Sequence, residues 1–418
     1  MPMLRETRSA FCPPTPETLE GLGIPQSLLM DLVLRRLYLS GASNFQSLSQ
    51  ALKLSTTVIE AVFRELRQQQ LVEVKGMVGN DYNFALSGAG RRSAAERYQI
   101  SHYAGAAPVS LDEYHAATKA QAAKVRVDRK SLRQTMSDLV LTDSLLDQLG
   151  PAVISQTSIF LYGPTGSGKT SLAERLTRIY QDAILVPYAV EVDGQFIQLY
   201  DPVVHDRIEM LEQEFDPRWV LCRRPCIIAG GELVPSMLDL RLDEATGIYA
   251  APIQMKANNG VLVIDDFGRQ MMSPRELLNR WMVPLDRRVD YLALRYGVKF
   301  KIPFEILVVF STNLDPRELA DEAFLRRIHN KVYTPPVDAQ SFDEILRRVA
   351  AARNIPCEAD SAEYLRKLCL RESSLELRAC YPADICNILL AIGKYENRPV
   401  RLTRSDLERA VALYFAQS

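Results

Sequence analysis

The stretch that decides the architecture is Ser158-Ile-Phe-Leu-Tyr162, then Gly163-Pro-Thr-Gly-Ser-Gly168 and Lys169-Thr170, then Ser171-Leu-Ala-Glu-Arg-Leu176. A short apolar run, a glycine-rich turn and a run of helix formers read as buried strand, loop and helix, in that order. Glycines let the backbone wrap an anion with its N–H groups, and the start of the following helix adds a favourable dipole. Gly163, Pro164, Thr165, Gly166, Ser167, Gly168, Lys169, Thr170 and Ser171 are therefore the expected contacts of a nucleotide's phosphates. Lys169 would bridge the outer phosphates and Thr170 would hold Mg2+ through its hydroxyl.

About ninety residues further on, Gly260-Val-Leu-Val-Ile264 is a second apolar strand and ends in Asp265 and Asp266. Asp265 is placed to complete the magnesium shell, through water, since this ion keeps much of its hydration. Asp266 stands where a base that polarises the attacking water belongs. A third strand, Phe304 to Phe310, runs into Ser311-Thr312-Asn313, and the Asn313 amide can sit beside the terminal phosphate.

On the N-terminal side, residues 1–22 carry Pro13, Pro14 and Pro16 with little periodicity and read as a flexible arm. Leu28, Leu29, Leu32, Leu34 and Leu37 line one side of a helix; a second helix runs from Asn44 to Leu52. Ser55, Thr56 and Thr57 can cap a third, with Val58, Val62, Phe63 and Leu66 inward. Two alternating strands, 71–74 and 82–86, follow. Three helices and a two-stranded wing make residues 23–100 a winged helix-turn-helix, and the stretch 101–124, with Gly-Ala-Ala-Pro at 105–108, reads as a linker.

The chain has 418 residues, enough for several domains; 47% are hydrophobic and 24% charged, the balance of a globular protein. Lys and Arg number 50 against 51 Asp and Glu, and residues 1–123 hold twelve against eleven, so no charge excess draws the chain to nucleic acid or an anionic membrane. A winged helix can read DNA, but Arg64 and Arg67 are opposed by Glu60 and Glu65, which favours docking to a protein over DNA. Seven scattered cysteines, with Cys222 and Cys226 the only close pair outside the C-terminal helices, suit buried thiols in a cytoplasmic protein better than disulfides or structural zinc. No apolar run reaches the length of a membrane span, so no membrane insertion is expected.

In its order of motifs, the region 125–418 resembles the AAA+ superfamily. Asp265 and Asp266 match its second nucleotide motif, where Asp266 replaces the commoner Glu, and Asn313 matches its sensor 1. After Asp321-Glu-Ala-Phe-Leu325, Arg327, with Arg326 as the alternate, looks like the family's arginine finger, supplied to a neighbouring subunit's ATP. The long stretch 183–259, with a hairpin around Glu244-Ala-Thr-Gly247, is similar in layout to the helix-2-insert clades, such as the MoxR-type chaperones and NtrC-type activators. No Gly-Ala-Phe-Thr-Gly-Ala loop is present, which argues against a sigma-factor partner. Tyr249 either grips a client in a central pore or is buried. Residues 338–418 resemble the family's helical lid; Ala383 stands where a sensor-2 arginine is often found, and Arg378 is the substitute nearby.

The resemblance implies an α/β fold: a P-loop AAA+ core (125–337) with a parallel sheet, a C-terminal helical lid and the N-terminal winged helix-turn-helix. It implies an ATPase that uses ATP and Mg2+ and forms a homo-oligomeric ring, a hexamer, remodelling a protein client or adaptor recruited by the winged helix. A DNA-associated ATPase and a nucleotide-gated scaffold with little turnover are the alternatives.

Overall fold

The computed structural model describes residues 9, 11–78, 81–209, 215–319, 325–358, 360–372 and 376–415. Helix α1 (Gln26–Ser40) buries Leu28, Leu29, Leu32, Val33, Leu34 and Leu37, and the two-residue strand β1 (Ala42–Ser43) follows it. Helix α2 (Phe45–Leu52) starts where Asn44 accepts the Ser47 N–H, and α3 (Thr56–Gln68) where Ser55 accepts the Val58 N–H. Strands β2 (Val72–Val78) and β3 (Asp81–Leu86) pair antiparallel, with β1 on the far side of β3. Helix α4 (Gly88–Ile100), capped by Ser87, packs back along α1.

The segment expected to be a linker is ordered and largely buried. Strand β4 (Val109–Ser110) and helix α5 (Leu111–Ala120) occupy it, and α5 opens on a capping box between Ser110 and Glu113. Tyr103, Ala106, Ala107, Val109 and Tyr114 are all buried. Three of them pack against chain from elsewhere: Tyr103 on Phe196, Val109 opposite Val190, and Tyr114 at the Asn258 amide. The described part of the arm is tied down as well. Phe11 meets Trp219 edge-on at 5.3 Å, and Pro13 O accepts the Asp216 N–H at 2.9 Å.

Next come α6 (Arg129–Thr135), α7 (Asp143–Ile154), β5 (Ile159–Tyr162) and α8 (Lys169–Arg175). The long stretch after α8 builds two sheets of its own. Strands β6 (Ala183–Pro187), β7 (Ala189–Val192), β8 (Gln195–Gln198), β9 (Trp219–Arg223), β10 (Cys226–Ala229), β11 (Arg241–Asp243) and β12 (Ile248–Ala250) follow in sequence. One sheet has the order β11-β12-β8-β7-β4, and β6 pairs with β9. Tyr249, on β12, is buried, and its hydroxyl accepts the Arg295 N–H at 3.0 Å, so it is a core residue and grips nothing in a pore. Cys222 and Cys226 are free thiols pushed up to about 12 and about 11 by burial. No cluster of three or more His, Cys, Asp or Glu that could hold a metal occurs among the described residues.

The N-terminal helices are docked on this insert. The Arg35 guanidinium lies 4.8 Å from the Phe196 ring centre and donates to Ser101 O, while Phe196 stacks on Tyr103 at 4.7 Å. Arg218 has no exposed side-chain surface. It donates to the carbonyls of Leu22 and Pro108 and pairs with Asp216 at 2.7 Å and Glu113 at 3.2 Å. A guanidinium buried so completely is tolerated because its donors are met by carbonyls and carboxylates.

The remaining elements are α9 (Ile253–Lys256), β13 (Val261–Ile264), α10 (Pro274–Arg287), the hairpin β14 (Val289–Ala293) and β15 (Lys299–Pro303), β16 (Leu307–Thr312), α11 (Pro316–Leu319) and β17 (Asn330–Tyr333). The central sheet has the order β10-β13-β16-β5-β17 and every neighbouring pair in it is parallel. Helices cover it, so its inner strands are apolar on both faces, as expected of a parallel sheet. The chain thus adopts the α/β class expected from its sequence. Helices α12 (Ala339–Ala352), α13 (Ser361–Glu372), α14 (Tyr381–Tyr395) and α15 (Arg404–Tyr414) close the chain around their own core. No helix among the described residues is long and apolar enough to cross a membrane.

Candidate functional site

Because β5, β13 and β16 run parallel and in register, their C-terminal ends lie side by side: Ile264 opposite Phe310, and Thr312 opposite Tyr162. A parallel sheet brings loops that are distant in sequence to one edge, where ligands bind in such folds. The loop 163–168 leaves β5 there and turns into α8. Gly163 has φ +148, and a Cβ on it would stand 2.2 Å from Thr334 O, so the close passage of β17's end requires glycine.

Lys169 is folded back on the loop. Its Nζ donates to Gly163 O at 2.9 Å and Pro164 O at 2.8 Å, with Ser167 Oγ at 3.5 Å. Burial pulls its pKa below the usual lysine range, while Asp265 and Asp266 hold the charge in place. The Thr170 hydroxyl donates to both Asp265 oxygens, at 2.9 and 3.1 Å. These two oxygen-bearing side chains, from the start of α8 and the end of β13, form the pair of hard donors that suits a magnesium ion. Asn313 donates its amide to Thr165 Oγ1 at 3.3 Å and so faces the loop. Asp266 is exposed beside Asp265, with φ +49.

The last four helices reach the loop directly. The Cys380 N–H donates to Gly166 O at 3.1 Å. A Cβ on Gly166 would lie 2.5 Å from Cys380 Sγ and 3.5 Å from the Arg378 side chain. Arg378 is near enough to help lower the Lys169 pKa, and its Nε is buried without a hydrogen-bond partner among the described residues. Ala383, in the first turn of α14, offers no charge to the site, and its carbonyl accepts from Arg353.

Arg326 and Arg327 are not brought to this edge. They precede β17, whose first residue Asn330 stands opposite Ile159 at the start of β5, the end of the sheet away from the loop. Ser158 Oγ donates to Arg327 O there. Arg327 Nε pairs with Asp286 at 2.9 Å, while Arg326 is exposed. Residues 321–324, just before them, lie outside the described residues.

Sequence reasoning named the loop, both acids and Asn313 because each ends or follows a strand with a plain apolar pattern. The seat of Cys380 on Gly166 carried no such signal. Nothing in Arg378-Ala-Cys-Tyr-Pro382 states that it meets a loop two hundred residues earlier.

Residues 338–413 match a family model described as a domain of unknown function, DUF8689. No curated protein matches the chain. Among solved structures, a RuvB mutant from Thermotoga maritima aligns at 13% identity over 70% of this chain and 73% of its own, with a TM-score of 0.41. NtrX from Brucella abortus, solved in complex with ATP, aligns at 14% identity over 68% of this chain and 61% of its own, with a TM-score of 0.40.

Proposed function

We propose that the chain is a magnesium-dependent ATPase of the AAA+ type that works as a ring of identical subunits. The observation that carries the reading is the Thr170–Asp265 pair held next to the glycine-rich loop and Lys169, at one edge of a parallel sheet. Gly163 to Ser171 hold the phosphates, through backbone N–H groups at every position except Pro164, which has none. Lys169 leaves the carbonyls of Gly163 and Pro164 and pairs with the outer phosphates. Its present partners are two neutral acceptors, which a phosphate oxygen readily outcompetes. Thr170 and Asp265 hold the ion, and magnesium, when bound, offsets charge that develops on the transferred phosphoryl group.

Asp266 accepts the proton of the attacking water and Asn313 orients that water. Arg378 serves as the lid's cation in place of the missing arginine at Ala383, which gives its buried Nε an acceptor. Arg326 or Arg327 completes the site of a neighbouring copy, since both stand at the far end of the sheet from their own loop. A hexamer is the expected ring. Residues 23–100 act as a winged helix that recruits a protein client or adaptor. Their rigid docking on the insert favours a fixed platform, which binds a protein or, as the alternative, a DNA duplex.

Binding of a fluorescent ATP analogue tests the nucleotide site. Native protein is expected to bind in the presence of magnesium, Lys169→Ala to lose at least about tenfold in affinity, and Asp265→Ala to lose most of the magnesium dependence. Equal binding by the native protein and Lys169→Ala would place nucleotide elsewhere and end the reading.

A further inference from the structure

Thr312, the last residue of β16, is fully buried. Its hydroxyl donates to Phe267 O at 2.7 Å and accepts the Leu314 N–H at 3.2 Å. Phe267 follows Asp266 and Leu314 follows Asn313, so one side chain fixes the residue after each of two groups that face the loop. Gln270 closes the same turn from the other side. Its amide nitrogen donates to Asp265 O at 2.7 Å and its amide oxygen accepts the Gly268 N–H at 2.9 Å. Two backbone bonds complete the clamp, Phe267 N–H to Ser311 O at 2.7 Å and Arg269 N–H to Asp266 O at 2.9 Å.

Within this clamp Asp266 takes φ +49, the left-handed region that a residue with a side chain rarely adopts. Aspartate tolerates this region better than most residues with a side chain, at some cost. The conformation persists here because the turn on either side is tied to the sheet. The consequence is positional: Asp266 is exposed beside Asp265, on a turn that is tied to the sheet on both sides.

We infer that Thr312 and Gln270 are positioning residues that hold the Asp266 carboxylate and the Asn313 amide in fixed register at the candidate site. The inference rests on the proposed ATP hydrolysis with Asp266 as its base. Neither residue need touch the reacting atoms. Thr312 acts on both groups at once, through the turn after β13 and the turn after β16, and Gln270 acts on the first alone.

The test is steady-state ATP turnover together with nucleotide affinity in Thr312→Val, Thr312→Ser, Gln270→Ala and Asp266→Asn. Valine keeps the shape and removes the hydroxyl, leaving Phe267 O without its donor. Thr312→Val is expected to lose about tenfold to a hundredfold in kcat, as small misplacements of reacting groups do, with KM and nucleotide affinity near native. Thr312→Ser recovers most of the rate, and Gln270→Ala shows a smaller loss in the same direction. Native kcat in a folded, ATP-binding Thr312→Val, or a Thr312→Ser as slow as the valine variant, overturns the inference when Asp266→Asn is inactive. If Thr312→Val does not fold, native kcat in Gln270→Ala, a partly exposed position, overturns it instead. Native turnover in Asp266→Asn would remove the catalytic reading itself, a distinct failure.

Discussion

Lys169 is bound to its own loop through the carbonyls of Gly163 and Pro164, so the nucleotide proposed for this site would compete with two short hydrogen bonds before the lysine could reach it. The residues that state this chemistry are contiguous or end a strand, which is why they were legible. Conformation was not: the left-handed Asp266 and the inward lysine are set by contacts that no local pattern encodes. A second residue shows what titration should do. His205 accepts the Asp201 N–H at Nδ1, 3.0 Å away, so its proton sits on Nε2, which donates to Lys256 O at 2.9 Å. Burial pushes its pKa below the ordinary histidine value, because the charged ring is not solvated there. The unfolded chain therefore binds the proton more readily. The stability contributed by the neutral ring is intact above the unfolded value of about 6.5 and is lost as pH falls below it. Thermal melting midpoints should drop between pH 7 and pH 5, and His205→Gln should flatten that slope; an unchanged slope would contradict the assignment.

Among elements, the join of α14 to the loop 163–168 is the least expected. Gly166 has φ +77, and Cys380 Sγ fills the space a side chain would need. Gly166→Ala must both strain the backbone and push the start of α14 away, which costs roughly 1–3 kcal/mol. The expected outcome is a lower melting temperature and faster alkylation of Cys380, located by mass spectrometry. Unchanged Cys380 reactivity would mean that α14 is not seated there. The helices α1 to α3 were readable from apolar spacing, since each buries one face against its neighbours in sequence; the alternation expected of the two strands is not found, because β2 leaves Val74 and Met77 exposed and β3 buries Phe84, Ala85 and Leu86 in a row. In the stretch 101–124 helix α5 was legible and was missed, since Ser110 and Glu113 have the spacing of a capping box and Tyr114, Ala117, Thr118 and Gln121 that of one helix face; residues 101–110 were not, because Tyr103 stacks on Phe196 and β4 pairs with β7, partners more than eighty residues away. Contacts of that range leave no periodicity behind.

At the scale of the whole molecule, the N-terminal helices and the insert are locked together by the buried Arg218, the Arg35–Phe196 contact and the shared core around Phe196. The hairpin β14–β15, which follows α10, reaches the same insert: Tyr296 donates to Asp193 at 3.0 Å. Movement at the sheet edge therefore has a packed route to the N-terminal face, and a domain swinging on a loose tether is not the arrangement here. Arg326 and Arg327 stand at the far end of the sheet from their own loop, and on the proposed function one of them completes a neighbouring subunit's site. The measurement that tests it most directly is ATP turnover against protein concentration for native chain, Lys169→Ala, Arg326→Ala and Arg327→Ala, with oligomer size recorded in the same samples. Turnover that rises with assembly, vanishes in Lys169→Ala, and in at least one arginine variant falls without loss of assembly is the predicted result; native turnover that is independent of assembly, or absent in the assembled protein, would contradict it.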